Sequence, residues 1–187
     1  MLSKDKLRKK FLKIRKLKYF EVTKNYFNPL NKVLNSFSQK KEIYLSIYYP
    51  SNYEVNTLSF LEILRTKKKI ISLLPSLTNK NNMVFCKWNY LDVLKVNKYG
   101  MLEPAPNQDH FIPDIMLVPL LVFDKYNHRL GYGKGYYDNF LNKYLKKNKT
   151  ILTIGVAFSF QKYDKLPTSK LDVKLDYILT ENKMIKQ

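Results

Sequence analysis

The sequence predicts an α/β protein: a single three-layer α/β/α domain over residues 1–187, with a mixed, mostly parallel, Rossmann-like sheet. Three observations lead there. Short apolar, β-prone runs alternate with stretches whose apolar residues recur at helical spacing, the pattern of a sheet covered by helices. One of these runs, Ile115 to Phe123, is almost wholly apolar, as expected of a strand covered on both faces. Just after it, three of the five glycines, Gly131, Gly133 and Gly135, stand at alternate positions around Lys134, where a strand should hand over to a helix.

Taken in order, residues 3 to 19 carry Leu7, Phe11, Ile14 and Leu17 at helical spacing, with lysines and arginines on the other face, so an amphipathic helix is expected. Lys4 and Arg8, four apart, share one side of it. Residues 21 to 39 continue a helical pattern through Tyr26, Leu30, Val33, Leu34 and Phe37, interrupted at Pro29. Ile43 to Tyr49 is the first strand, ended by Pro50 and the turn Ser51-Asn52-Tyr53. Glu54 follows, before a helix capped by Asn56 or Thr57 that buries Leu58, Leu61 and Leu64 and is closed by Lys67, Lys68 and Lys69. A carboxylate at a strand exit points to the ligand crevice of an open α/β sheet.

Ile70 to Leu74 is the next strand, stopped by Pro75, and Met83 to Lys87 a short one. Leu91 to Lys98 is expected to form a short helix or turn. Gly100 to Asn107, holding Glu103, Pro104 and Pro106, should be irregular. After the strand Ile115 to Phe123 come the turn Asp124 to His128, the glycine loop and a helix from Tyr136 to Lys146. Strands Ile151 to Phe158 and Leu175 to Leu179 complete the sheet, with Lys183 to Lys186 as an edge.

The totals bound the function. With 45% hydrophobic residues, 187 residues can bury the core of one domain. The longest apolar run, Met116 to Phe123, contains Pro119 and is far short of the roughly 20 residues of a membrane span, so no membrane partner is expected. The N-terminus is basic without the apolar core of a secretory signal; transit peptides share its basic, amphipathic character, and the cytoplasm is the default location. Cys86 is the single cysteine, which excludes an internal disulfide, and with His110 and His128 it does not make a metal site. A net charge of +19 raises nucleic acid as a partner. Against it, four of the 34 basic residues are arginine (Arg8, Arg15, Arg65, Arg129), whereas base and phosphate readers lean on arginine forks. The lysines are read as a solvated surface whose field draws small anions. Nucleic acid is not expected as a partner, and a monomer is expected.

The glycine loop has a steric logic. Residues without Cβ reach positive φ and let a phosphate approach backbone N–H groups, while the following helix adds unsatisfied donors and a partial positive charge. Lys134 adds a full charge. The spacing is neither that of the P-loop nor that of the dinucleotide fingerprint, so alone it fits a structural turn as well as a phosphate cradle.

Set together, the residues carry a resemblance. Val118-Pro119 through Phe123-Asp124, then Arg129-Leu130-Gly131-Tyr132-Gly133-Lys134-Gly135-Tyr136-Tyr137-Asp138, closely resembles the signature of the 5-formyltetrahydrofolate cyclo-ligases, or methenyltetrahydrofolate synthetases. Lys4 with Leu7-Arg8, Tyr49-Pro50 with Glu54 and Thr57, and Gly100, Glu103 and Pro104 match in order. So do Gly155 to Phe158 with Gln161, Leu166-Pro167, Asp172 and Asp176.

That resemblance implies an ATP- and magnesium-dependent enzyme closing 5-formyltetrahydrofolate to 5,10-methenyltetrahydrofolate, with release of ADP and phosphate. It implies that Lys4 and Arg8 bind ATP, that Arg129 and Lys134 are catalytic, and that these two, with Leu130, Gly131, Tyr132, Gly133 and Gly135, hold the triphosphate. Tyr136 and Tyr137 would lie beside nucleotide and folate, sharing the folate with Gly133, Lys134 and Gly135. Tyr49 and Glu54 would face the pterin, and Asp138 and Asp176 would hold magnesium. Three positions depart from the pattern. Tyr132 stands where relatives commonly have arginine, Leu171 where a histidine often stands, and Tyr126-Asn127 lacks the usual glycine, although asparagine tolerates the left-handed turn. The other reading, of a different class, is a catalytically weakened folate- or RNA-binding module on the same fold.

Overall fold

Ile115 and Leu117 pack into one hydrophobic cluster and Met116 and Val118 into another, so the strand they share has a layer to bury on each side. A computed structural model describes every residue except 1, 65, 66, 68, 79, 81, 106–108, 146, 148, 149 and 187, with 145 by its backbone alone. The elements are α1 (Lys4–Lys18), a 3-10 turn (Lys24–Phe27), α2 (Leu30–Ser36), β1 (Ile43–Ser46), α3 (Leu58–Leu64), β2 (Ile70–Leu77) and β3 (Met83–Lys87). Next come β4 (Lys95–Val96), β5 (Leu102–Glu103), β6 (Ile115–Pro119), β7 (Val122–Asp124), β8 (Arg129–Leu130) and α4 (Tyr136–Leu145). The chain closes with β9 (Leu152–Val156), a second 3-10 turn (Ser159–Gln161), β10 (Lys162–Tyr163), β11 (Tyr177–Leu179) and β12 (Met184–Lys186).

The main sheet has the order β12-β11-β9-β6-β1-β2-β3. Its five inner strands are parallel, and β3 and β12 run antiparallel at the edges. Helices α2 and α3 cover the face of Ile115 and Leu117, and α4 covers that of Met116 and Val118. This is the mixed, mostly parallel three-layer sheet that the sequence predicts. A smaller sheet, β10-β7-β8, carries α1, whose Leu7 and Phe11 pack with Val122 and Leu130. From β1 the chain moves outward to β2 on one side, whereas from β6 it moves to β9 on the other. The carboxyl ends of β1 and β6 therefore flank a topological switch point, where open α/β sheets hold their ligands.

Several elements differ from the sequence reading. Ile115 to Phe123 is two strands in two sheets. The break falls where the Leu120 and Leu121 carbonyls turn out of the ladder to accept from Gln161 Nε2 at 3.0 and 2.9 Å. Strand β2 runs on through Pro75 to Leu77. The N–H of Leu77, two residues on, points to Glu103 and not to β3, so Pro75 lacks its N–H on a side where β3 does not need it. Leu91 to Lys98 is not a helix; β4 and β5 form a hairpin whose turn is made by the Asn97 side chain, accepting from the N–H groups of Tyr99 and Met101, and by Gly100 at φ +74°. Leu17 is 84% exposed while Arg15 is 1% exposed, the reverse of the expected amphipathic assignment. Lys67 and Lys69 lie beyond the end of α3; Lys68, Pro106, Asn107 and Lys146 fall outside the described residues. Asn127 takes φ +58°, as expected of its turn.

Candidate active site at the strand-order switch

Helix α1 begins at Ser3, whose hydroxyl caps the N–H of Lys6, and its next turns run along the glycine loop. Arg8 Nε donates to the Gly131 carbonyl at 3.0 Å, and the guanidinium lies against Gly133, which sits at φ +92°. Asp5 holds Arg8 Nη1 at 2.6 Å. Seven residues on, two turns further along the same side of the helix, Arg15 donates to the Leu120 carbonyl at 3.1 Å and to the hydroxyl of Tyr132. Thus one helix grips the loop at 131, 132 and 133. Gly135, at φ +69°, then turns the chain into α4.

The Tyr132 hydroxyl donates in turn to Glu54 Oε1 at 2.9 Å. Glu54 is 6% exposed and receives the Ser51 N–H on Oε2 at 2.9 Å. The turn that brings it there uses two consecutive left-handed residues, Asn52 at φ +48° and Tyr53 at φ +62°. Burial raises the Glu54 pKa, against the pull of Arg15, the Ser51 N–H and the Tyr132 hydroxyl. Burial and the Glu54 carboxylate raise the pKa of Tyr132. Tyr137 is raised by the same two causes, with Arg129 opposing. Tyr49, half-buried, lies just past the end of β1.

Lys134 is exposed, its Nζ 5.3 Å from the centre of the Tyr99 ring, and the Tyr99 and Tyr136 hydroxyls are 2.8 Å apart. The β4–β5 turn thereby forms a wall beside the loop that the sequence did not suggest. Lys4 pairs with Asp172 at 2.6 Å. Burial works against that carboxylate, but the bonds from Lys4 and the Ser169 N–H outweigh it and hold Asp172 below its ordinary range.

Four of the expected site residues are engaged within the fold itself. Arg129, expected to grip the triphosphate, has its side chain 4% exposed and its terminal nitrogens committed: Nη1 to the Val173 carbonyl and Nη2 to Asp138 Oδ1, both at 2.8 Å. Burial lowers its pKa against the opposing charge of Asp138. Leu130, expected at the nucleotide, packs with Leu7 and Phe11 and gives its carbonyl to the Leu121 N–H. Asp176, expected to share an ion with Asp138, places Oδ2 on the N–H and hydroxyl of Thr153, each at 2.7 Å, near the start of β9. Tyr132, expected to leave a missing charge, stands between Arg15 and Glu54.

Among the described residues no group of three or more His, Cys, Asp and Glu gathers to hold a metal ion. Asp138 still fits one end of a magnesium–phosphate contact. Its Oδ1 is fixed by Arg129 and the Val173 N–H, while Oδ2 makes no hydrogen bond among the described residues. Magnesium at phosphates needs one or two carboxylates, the rest being phosphate and water.

Arg15 and Tyr99 are the residues the sequence reading missed. Arg15 was legible in principle, because it is four residues past Phe11 and in phase with the buried stripe; its charge argued the other way.

The chain is similar to 5-formyltetrahydrofolate cyclo-ligases over nearly all of its length. A sequence model of the 5-formyltetrahydrofolate cyclo-ligase family matches residues 1–181. The chain is 33% identical to the 5-formyltetrahydrofolate cyclo-ligase of Mycoplasma genitalium over 183 residues, covering 96% of this chain and 98% of that one. It is 32% identical to the enzyme of the same name from Haemophilus influenzae over 152 residues, 78% of this chain and 80% of that one. The structure of Aquifex aeolicus 5,10-methenyltetrahydrofolate synthetase matches with a TM-score of 0.73 at 28% identity, over 98% of this chain and 92% of that one. That of the Mycoplasma pneumoniae synthetase gives 0.67, also at 28% identity, over 95% and 98%. With the family signature spread along the fold and gathered at one crevice, the chain belongs to the 5-formyltetrahydrofolate cyclo-ligase family.

Proposed function

We propose that this protein uses ATP to close 5-formyltetrahydrofolate to 5,10-methenyltetrahydrofolate, releasing ADP and phosphate, and that the crevice between Glu54 and the glycine loop is where it does so. The observation that carries the assignment of the site is the hydrogen bond from Tyr132 to Glu54. It makes the loop expected to take phosphate and the carboxylate expected to face the folate neighbours, which supports a site where the γ-phosphate and the formyl group meet beside them.

The formamide oxygen is a poor leaving group. Its attack on the γ-phosphorus breaks the bond to ADP and leaves an imidate-like carbon. N10 adds to that carbon, the C–O bond breaks, phosphate departs with the former formyl oxygen, and the N10 proton is lost. Phosphoryl transfer of this kind depends on positioning and on neutralising charge. The N–H groups of Gly131 to Gly135 and the exposed ammonium of Lys134 would supply that neutralisation, with Arg8 and Lys4 beside the loop. Lys4 would exchange Asp172 for phosphate. Tyr136 and Tyr137 would border the nucleotide and the folate, and Tyr49 and Glu54 would face the pterin, whose N–H groups a carboxylate can accept. Magnesium, when bound, would neutralise charge on the phosphates, with Asp138 as its protein carboxylate. Arg129 acts through Asp138, and Asp176 is left outside the site. Among the described residues no helix is long and apolar enough to cross a membrane. A cytoplasmic monomer acting on small molecules is the simplest accompanying reading.

The test is the rise in methenyl absorbance with ATP, magnesium and 5-formyltetrahydrofolate together. Lys134→Ala should slow it by about a hundredfold. A folded protein without turnover contradicts the activity; turnover indifferent to Lys134→Ala contradicts the site.

A further inference from the structure

Arg15 is a large charged side chain at 1% exposure in the middle of a helix otherwise rich in solvated lysines. Taking a guanidinium out of water is costly unless it is paired. Its partners are a carbonyl, that of Leu120, and the Tyr132 hydroxyl, and its Nε is buried with no partner among the described residues. The tyrosine passes the bond on: it accepts from Arg15 and donates to Glu54. In a chain of this kind each bond polarises the next. The Arg15 guanidinium also sits 5.6 Å from the centre of the Tyr132 ring, which fixes the ring between cation and anion.

We propose that Arg15 is a positioning residue for the folate: acting through the Tyr132 hydroxyl, it keeps the Glu54 carboxylate ionised and aimed at the N–H edge of the pterin ring. This rests on the functional reading above. A carboxylate has about four lone-pair positions, and Tyr132 and Ser51 leave some of them for the substrate. Without a cation near it, a carboxylate so buried drifts towards the neutral form, which could no longer accept from two N–H groups. Among the described residues, the titratable groups that act electrostatically with Glu54 are Arg15 from α1, Tyr132 from the loop, Tyr48 just after β1 and Tyr137 from α4. Arg15 is the cation in that set. An Arg15 that merely anchored α1 to Leu120 would affect stability without regard to which substrate is being bound.

Steady-state kinetics of Tyr132→Phe, Arg15→Met and Arg15→Lys, with folate and ATP varied separately across pH, decide between these. Tyr132→Phe should raise KM for 5-formyltetrahydrofolate about tenfold and leave KM for ATP within about twofold. Removing either the bond or the cation raises the Glu54 pKa, so the acidic limb of kcat/KM for the folate should move to higher pH in Tyr132→Phe and Arg15→Met. It should move less in Arg15→Lys, which keeps a charge. If Arg15→Met does not fold, Tyr132→Phe, which deletes one hydroxyl, decides alone. A folded variant with unchanged folate KM and acidic limb, or with both KM values raised alike, overturns the proposal while the activity stands. A wild-type protein that makes no methenyl product overturns the functional reading and this proposal with it.

Discussion

The guanidinium carbon of Arg8 lies 2.9 Å from the point that a Cβ on Gly133 would occupy. First helix and glycine loop are therefore fitted to one another. Gly133→Ala would strain the backbone, because φ +92° is costly for a residue with a Cβ, and would displace the flexible head of Arg8. The expected loss of stability is about 1–3 kcal/mol. KM for ATP should rise more than KM for the folate. Urea unfolding and separate KM determinations check this, and an alanine variant with wild-type stability would contradict it.

Arg129 and Asp138 form a pair with the arginine buried and the aspartate 25% exposed. Arg129→Met strands the aspartate and the Val173 carbonyl, with a loss of about 2–4 kcal/mol, at the low end for a broken buried pair because Asp138 reaches water. Asp138→Asn keeps the acceptor for Arg129 and should lose less. Equal losses in urea would contradict the assignment of Arg129 to a supporting role.

The two aspartates can be separated by their need for magnesium. Asp138→Asn should raise the magnesium concentration that half-saturates activity by about tenfold, one carboxylate contact being lost. Asp176→Asn should leave that dependence unchanged and lower the melting temperature, since its carboxylate holds Thr153. A raised magnesium requirement in Asp176→Asn would restore the two-carboxylate site.

Asp172 makes an acid-side prediction. Its folded pKa lies below the unfolded value, so its pairing with Lys4 stabilises the protein above the unfolded pKa and is lost as pH falls through the folded one. Both partners are partly exposed, which limits the effect to about 1 kcal/mol. Wild type and Asp172→Asn should differ at neutral pH, begin to converge as pH falls through about 4, and coincide once pH is below the lowered folded pKa of Asp172. A difference that does not shrink as pH falls below about 4 would contradict this.

The alternation of apolar runs with helical spacing was enough to specify the sheet and its layers, because burial on two faces leaves a mark on every residue of a central strand. Met116 and Leu117 are of that kind. What lay outside that logic was decided by single polar contacts between distant segments. The β6–β7 break depends on Gln161 reaching Leu120 and Leu121, about forty residues away in the chain, and the β4–β5 hairpin on the side chain of Asn97. The glycine loop, Lys4, Arg8 and Glu54 were named from the family signature, and the fold sets Arg8 against the loop and joins the loop to Glu54 through Tyr132. Arg15 was not, because helical periodicity counts an arginine as a surface residue, and its burial follows from Tyr132 and Leu120 on other elements. Asp176 shows the converse: a carboxylate of the expected type is present, and its Oδ2 accepts from the Thr153 N–H and hydroxyl near the start of β9, a contact that residue type alone does not announce.

In the proposed mechanism the formyl oxygen is phosphorylated and leaves on phosphate. 5-Formyltetrahydrofolate labelled with ¹⁸O in the formyl group, turned over with ATP and magnesium in unlabelled water, measures this directly. One ¹⁸O should appear in the inorganic phosphate for each methenyl product formed. Unlabelled phosphate, with the ¹⁸O released to water, would contradict it.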